Sequence, residues 1–305
     1  EVVRGPGSAL YGPGVSSGVV HFITKTPIEH PGTAIELLGG ELNTFGATVR
    51  HAGRNESKTF GYKINARYKA GDEFTLDPND PNDALQIAKF NTSISVPDVV
   101  GGIVDVSSPG TVLLTESDLD PDGDGNPMQN DWSTAGADVT LEFRPTDDFS
   151  AFVSGGYNEQ SAVFYNNQGE GLSQTKEIWT QVRAQYKGLF AQLFYVDNDG
   201  GTPDNPTFLY QTGLRTPVGR QQLEGQLQYN FGIESLLNSD WTVGFDYRQA
   251  KQDTENMVYG RNELDDDYTL YGVYAQGKFK VNEKIDVVVA GRFDQFNFLD
   301  DNSFS

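Results

Sequence analysis

The chain has no cysteine in 305 residues, only 2 Met and 3 His, and 22 Lys and Arg against 43 Asp and Glu. Without cysteine there are no disulfides and no thiolate metal ligands, which is compatible with an exported protein that does without them. The three histidines, His21, His30 and His51, stand at no ligand spacing, so no haem or zinc site is expected from them. A net charge of −21 leaves no concentrated Lys and Arg surface for phosphate, and nucleic acid is not an expected partner. Long hydrophobic runs are missing as well, since no stretch approaches the ~18 apolar residues of a membrane-spanning helix. That absence says nothing against a β-barrel, whose strands alternate lipid-facing and lumen-facing residues and keep the mean hydropathy low.

What the chain does have is 34 Gly, 19 Phe and 14 Tyr, and a period of two over long stretches. Leu223, Gly225, Leu227, Tyr229 and Phe231 fall on one face of an extended strand, and Gln222, Glu224, Gln226, Gln228 and Asn230 on the other. Phe60, Tyr62, Ile64, Ala66 and Tyr68 oppose Gly61, Lys63, Asn65, Arg67 and Lys69 in the same way. Strands are expected near 32 to 40, 43 to 52, 59 to 70, 132 to 144, 149 to 158, 175 to 187, 189 to 198, 219 to 231, 241 to 251, 267 to 281 and 285 to 297. Residues 33 to 40 and 189 to 196 alternate poorly, and these two strands rest on their neighbours.

The connections differ in length. Arg144 to Asp148, Lys187-Gly188 and Val281 to Lys284 read as tight turns, whereas 71 to 131, 159 to 174, 199 to 218 and 252 to 266 read as long loops. Short turns at one end and long loops at the other are the arrangement of an outer-membrane barrel. A secreted β-sandwich is the alternative, but its strands run to about 5 to 6 residues and its polar face meets open water. Here Phe143, Phe149, Phe231 and Trp241 recur towards strand ends, where an interfacial aromatic girdle would sit. The expected fold is all-β: a transmembrane antiparallel β-barrel. Should the strands be only part of a larger barrel, as the resemblance given below implies, an open half-barrel would leave two strand edges unpaired in lipid, and this stretch alone is not expected to be a stable membrane protein.

The first 27 residues differ in character. Gly5, Gly7, Gly12, Gly14 and Gly18 permit positive φ while Pro6 and Pro13 fix it near −65°, which gives a tightly turned, preshaped loop. Gly14-Val15-Ser16-Ser17-Gly18 matches the Gly-x-Ser-x-Gly nucleophile elbow, but the elbow needs a helix after its serine, and β-rich Val19 to Ile23 follows here. A hydrolase is therefore rejected, and no acid and base pair stands out, so the chain is not read as an enzyme.

The run Val2-Val3-Arg4-Gly5-Pro6, then Ser8 with Tyr11 and Gly12, then Ser16 to Gly18 and Val19 to Lys25, resembles the end of the plug domain of TonB-dependent outer-membrane receptors. It departs from that family's pattern at Ser17-Gly18, usually Gly-Gly, and at His21-Phe22-Ile23, usually Asn-Ile-Ile. The resemblance implies a plug segment over 1 to 27 and the N-terminal half of a barrel over 28 to 305, about 11 of ~22 strands, with the chain beginning partway through the plug. It implies energised uptake, across the outer membrane of a Gram-negative bacterium, of a scarce solute such as a ferric siderophore or cobalamin. TonB, with ExbB and ExbD, would be the partner through the preceding plug region, and outer-membrane lipid the surroundings.

By the same resemblance Arg4, Gly5, Pro6, Tyr11, Gly12 and Gly18 form the plug motif, and Arg4 pairs with carboxylates of the barrel wall. Glu142 and Glu224, on lumen-facing positions, are candidate partners by their chemistry; a local salt bridge inside the plug is the competing reading. Tyr165, Asn166, Asn167, Phe208, Tyr210, Tyr259 and Arg261 fall in expected outer loops, where aromatic and amide groups suit contact with a small-molecule substrate. Asp120, Asp122, Asp124 and Asn126, with Asp131 at the twelfth position, follow the start of a calcium loop, although no helices flank it and Asp131 is shorter than the usual Glu. A structural Ca²⁺ and a solvated acidic loop are the two readings of this segment. A calcium-braced adhesive loop on a secreted β-protein is the alternative function.

Overall fold

The computed structural model describes residues 2–4, 18–74, 77–84, 94–95, 98–100, 103–105, 113–114, 131–166, 169–202, 205, 207–209, 217–254, 265–297 and 303–304. Its strands in chain order are β1 (Val2–Arg4), β2 (Gly18–Val20), β3 (Gly32–Gly39), β4 (Phe45–Arg54), β5 (Phe60–Asp72), β6 (Ile94–Ser95), β7 (Asp98–Val100), β8 (Ile103–Asp105), β9 (Leu113–Leu114) and β10 (Asp131–Thr146). There follow β11 (Phe149–Asn166), β12 (Gly169–Tyr186), β13 (Leu189–Gly200), β14 (Thr207–Leu209), β15 (Gly219–Ile233), β16 (Ser239–Asp253), β17 (Tyr268–Asn282), β18 (Ile285–Phe296) and β19 (Ser303–Phe304). One antiparallel sheet of 13 strands runs β3, β4, β5, β10, β11, β12, β13, β15, β16, β17, β18, β19, with β14 added beside β12. β1 and β2 pair apart from it, Arg4 opposite Gly18, and β6 to β9 make two small sheets of their own.

The expected strands are all present, within a few residues at most ends. The expected loops 71 to 131 and 199 to 218 hold the short strands β6 to β9 and β14, and the largest departure is the segment from 159 to 174, expected to be a loop. There β11 and β12 run on to Asn166 and Gly169 and stay paired throughout. Alternation fades there because both faces are polar, yet the backbone ladder needs no apolar face to continue.

The turns at the end opposite the long connections are tight. Lys58, Lys187, Leu237 and Asn238 carry φ of 55°, 51°, 54° and 44° there, the left-handed geometry that matches the twist of paired strands. Gly188 admits no side chain, because a Cβ would lie 2.1 Å from the Asn230 carbonyl oxygen.

Among the described residues no second sheet packs on this one, and the buried apolar residues are few: Ile28, Ala52, Leu172, Ala250, Leu270 and Tyr274, with Pro27 and Pro217. A sandwich would bury a face of every strand, so the sandwich alternative fails. The apolar face is instead exposed along the whole sheet: Ile178 and Val289 are 60% accessible and Leu193 52%. On β11 this band runs from Phe149 to Tyr157 and on β12 from Ile178 to Tyr186, close to the ~9 to 11 residues of a tilted membrane strand.

Aromatic rings border the band on both sides. Towards the tight turns Phe143, Phe149 and Tyr186 touch in series at 6.4 and 6.5 Å, and Trp241 meets Phe279 at 5.5 Å. Towards the long connections Tyr247 and Tyr271 meet at 5.3 Å, and the Tyr157 and Tyr195 hydroxyls donate to Glu159 and Asp197, the first outward carboxylates above the band. Beyond it the outward face turns polar, and Asp197, Asp199, Gln221, Lys251 and Asp253 line one cleft.

All three tryptophans sit directly across a strand pair from a glycine: Trp132 over Gly71, Trp179 over Gly156 and Trp241 over Gly277. Tyr62 lies likewise over Gly53, and Tyr274 over Gly244. A Cβ at Gly156 would stand 2.9 Å from the Trp179 ring, from the Ala137 carbonyl oxygen and from the Asp138 side chain. The ring covers backbone that glycine leaves bare, which holds the register of each pair. Gly156→Ala is expected to cost about 1–3 kcal/mol by overpacking, read from the urea midpoint in lipid vesicles, and to shift Trp179 emission. An unchanged midpoint would show that the ring does not rest on this glycine.

Candidate functional site

Since the outward face is apolar, chemistry concentrates on the inward face, and its polar groupings include three built around ion pairs to Glu142, Glu224 and Asp294. Each is assembled by register, from residues far apart in the chain.

The first joins β4, β5 and β10. Arg54, Gly61 and Glu142 stand opposite one another in a row across these strands. Because the middle position is glycine, the turn Thr26–His30 fits against the wall: a Cβ at Gly61 would stand 2.9 Å from Ile28 Cγ1 and 3.2 Å from Pro27 Cβ. Pro27, Ile28 and Glu142 are all fully buried. The Ile28 N–H donates to Glu142 Oε2 at 2.9 Å, and Arg54 donates to the Ile28 carbonyl from the other side. Arg144 Nη2 is 2.6 Å from Glu142 Oε1, an ionic contact whose angle lies outside hydrogen-bond geometry, and its Nη1 donates to Glu29 at 2.7 Å. Lys63 donates to the Lys25 carbonyl at 3.0 Å and Arg50 to that of His30, while the His30 N–H closes the turn on the Thr26 carbonyl at 3.0 Å.

The second grouping is a chain along β15 and β16. Arg220 donates to Gln222, Gln222 to Glu224, and Arg248 pairs with Glu224 at 2.7 Å. Both charged side chains of that pair are partly open to solvent, so it contributes no more than about 1 kcal/mol.

The third, on β16 to β18, repeats the geometry of the first. Asp246, Gly272 and Asp294 form a row, with Gly244, Tyr274 and Arg292 beside it. Arg292 lies flat over Gly272, where a Cβ would be 2.1 Å from its Nη2, and reaches Asp246 at 2.7 Å and Asp294 at 2.8 Å. Arg292 and Asp294 are nearly inaccessible, and the guanidinium also faces the Tyr274 ring at 5.4 Å. Tyr274 reaches over Gly244 to donate to Gln228 and accept from Gln226.

Of the residues picked out by sequence, Glu142 and Glu224 do face inward, and each holds the partners just given. Arg4 is in β1, opposite Gly18; its side chain and Gly5, Pro6, Tyr11 and Gly12 lie outside the described residues, as does Ser16. Gly18 opens β2 with φ 151°, and the strand that begins there is not the helix an elbow would need. Tyr165 and Asn166 end β11 and so are not loop residues, because the β11–β12 ladder extends that far; Phe208 is likewise in a strand, β14, opposite Leu172. Their side chains, and Asn167, Tyr210, Tyr259 and Arg261, lie outside the described residues. So do Asp120, Asp122, Asp124 and Asn126. Asp131 is the exposed first residue of β10, opposite Asp72.

The sequence reading missed Arg54, Gly61, Arg144, Asp246, Gly272, Arg292 and Asp294. A glycine at an inward position between charged residues was the available signal, since glycine inside a strand marks a close approach of backbone or side chain.

No family model and no curated protein matches the chain. Solved structures do. A mutant of the ferric enterobactin receptor from Pseudomonas aeruginosa matches with a TM-score of 0.64 and 13% identity over 99% of this chain and 44% of its own. The alcaligin outer-membrane receptor of Bordetella pertussis matches at 0.57 and 12%, over 100% and 43%. A copper transporter matches at 0.59 and 15%, over 97% and 41%. The chain thus spans less than half the length of each, and these likenesses give its fold: one side of the β-barrel of outer-membrane receptors.

Proposed function

We propose that the chain is the plug end and first barrel half of a TonB-dependent outer-membrane receptor, which carries a scarce solute inward at the expense of TonB, ExbB and ExbD. One observation carries this reading: a Gly-rich segment with the plug motif is joined, through a turn buried against the inward face, to a sheet whose outward face is an apolar band between aromatic borders. A porin needs no such segment, and an adhesive surface protein has no use for a lipid-facing band.

A ferric chelate is the favoured cargo class and cobalamin the alternative; two of the similar structures are receptors for ferric enterobactin and for alcaligin. The test uses the full-length protein in its native cell. Expected are recovery in the outer-membrane fraction and a growth defect without TonB under iron limitation, or under cobalamin limitation if that is the cargo. Recovery in the soluble or secreted fraction would overturn the receptor reading.

A further inference from the structure

The polar latch around Glu142 does more than fill a gap, because it seizes the chain at one defined place. His21 to Lys25 are exposed and belong to no strand, whereas Pro27 and Ile28, two and three residues on, are fully buried. Over Lys25 to His30 the wall takes one N–H and three carbonyls of the backbone, using Glu142, Lys63, Arg54 and Arg50, and one side chain, Glu29, through Arg144. The partners come from three strands, β4, β5 and β10, so no single strand can carry the turn away with it. Both backbone groups of Ile28 are held at once, from opposite sides of Gly61. Freeing the turn would expose Ile28 to water and break its polar contacts to three strands at once, the Ile28 N–H to Glu142 and the Ile28 carbonyl to Arg54 among them.

We propose that the Thr26–His30 turn is a fixed anchor, with Glu142 its positioning residue, so that traction on the plug displaces the chain only up to about Lys25 and never detaches the linker from the barrel. The latch would thus set the limit of plug movement and confine any passage for solute to the space on the plug side of the linker. This rests on the receptor reading, but its tests separate the two.

This chain has no cysteine, so once any cysteine elsewhere in the full-length protein is replaced by serine, single thiols report cleanly. In the purified full-length receptor, without TonB, a maleimide dye should label Ile23→Cys freely and Ile28→Cys at least about tenfold more slowly. Adding Glu142→Ala should bring Ile28→Cys to within about twofold of Ile23→Cys, and Glu142→Gln, which keeps an acceptor for the Ile28 N–H, should restore much of the protection. Equal labelling in the parent would overturn the anchor whatever the protein transports.

In cells carrying Glu29→Cys and Arg144→Cys, joining the two thiols with a short bismaleimide should not lower TonB-dependent growth below that of the same cells before cross-linking, under the limitation identified above, and should restore growth that Glu142→Ala impairs. Loss of growth on cross-linking would show that the latch must open and would overturn the proposal. A parent with no TonB dependence would instead remove the receptor reading and leave the labelling result standing.

Discussion

Arg292→Met is expected to destabilise the folded protein by about 3 kcal/mol, the lower end of what removing one partner of a buried ion pair costs. The side chains of Arg292 and Asp294 are each 2% accessible, and Asp246 is 24% accessible. Removing the guanidinium leaves two carboxylates facing each other across Gly272, one of them out of contact with water. Partial hydration of Asp246 is what keeps the loss from reaching the upper end. Neither carboxylate can move far, since each is fixed by its strand register opposite the same glycine.

The measurement is a urea titration in lipid vesicles, and a companion variant tells electrostatics from packing. Arg292→Met with Asp246→Leu and Asp294→Leu removes all three charges and should recover most of the stability, because a buried triad replaced by apolar residues is close to neutral or better. If Arg292→Met alone shifted the midpoint no more than Arg248→Ala, whose partner Glu224 is partly solvated, the cluster would not be the buried charge the geometry describes.

How much of this was legible in the sequence depended on which physical signal a residue carries. Alternation is local, so strands such as Gly219–Ile233 and Ile285–Phe296 could be placed from their own residues. It weakened at β13 because Phe190 and Phe194 make the inward face apolar as well, and it vanished beyond the apolar band in β11 and β12. The latch was hidden for a different reason. Arg54, Gly61 and Glu142 are brought level only by the pairing of β5 with β10 across the long 73–130 connection, and no local pattern states that register. Glu142 could be chosen as an inward carboxylate, but not the Ile28 N–H it accepts from, since a backbone donor leaves no mark in composition. Gly61 and Gly272 look like weak points of their strands when read singly. Only with the neighbouring strands in place do they become the gaps that a linker or a guanidinium fills.

Val182→Arg tests the other face of the same sheet and carries the second large effect. Val182 lies midway along the outward band of β12, level with Val153 on one side and Leu193 on the other, and is 46% accessible. If lipid covers this face, an arginine there sits near the bilayer midplane and is expected to cost about 2–4 kcal/mol, too far from either border to snorkel fully. Gln181→Arg, one residue earlier, turns the same charge inward, beside a wall that already carries Arg183 stacked on Phe152 at 4.6 Å, and should change stability by less than about 1 kcal/mol. The contrast follows from the period of two, which sends adjacent residues to opposite solvents. Repeating both titrations in detergent should narrow the gap, because a micelle deforms around a charge more readily than a bilayer. Equal costs for the two variants in vesicles would mean that both faces of β12 meet the same medium, and the membrane-spanning reading of the sheet would fall with the receptor function built on it.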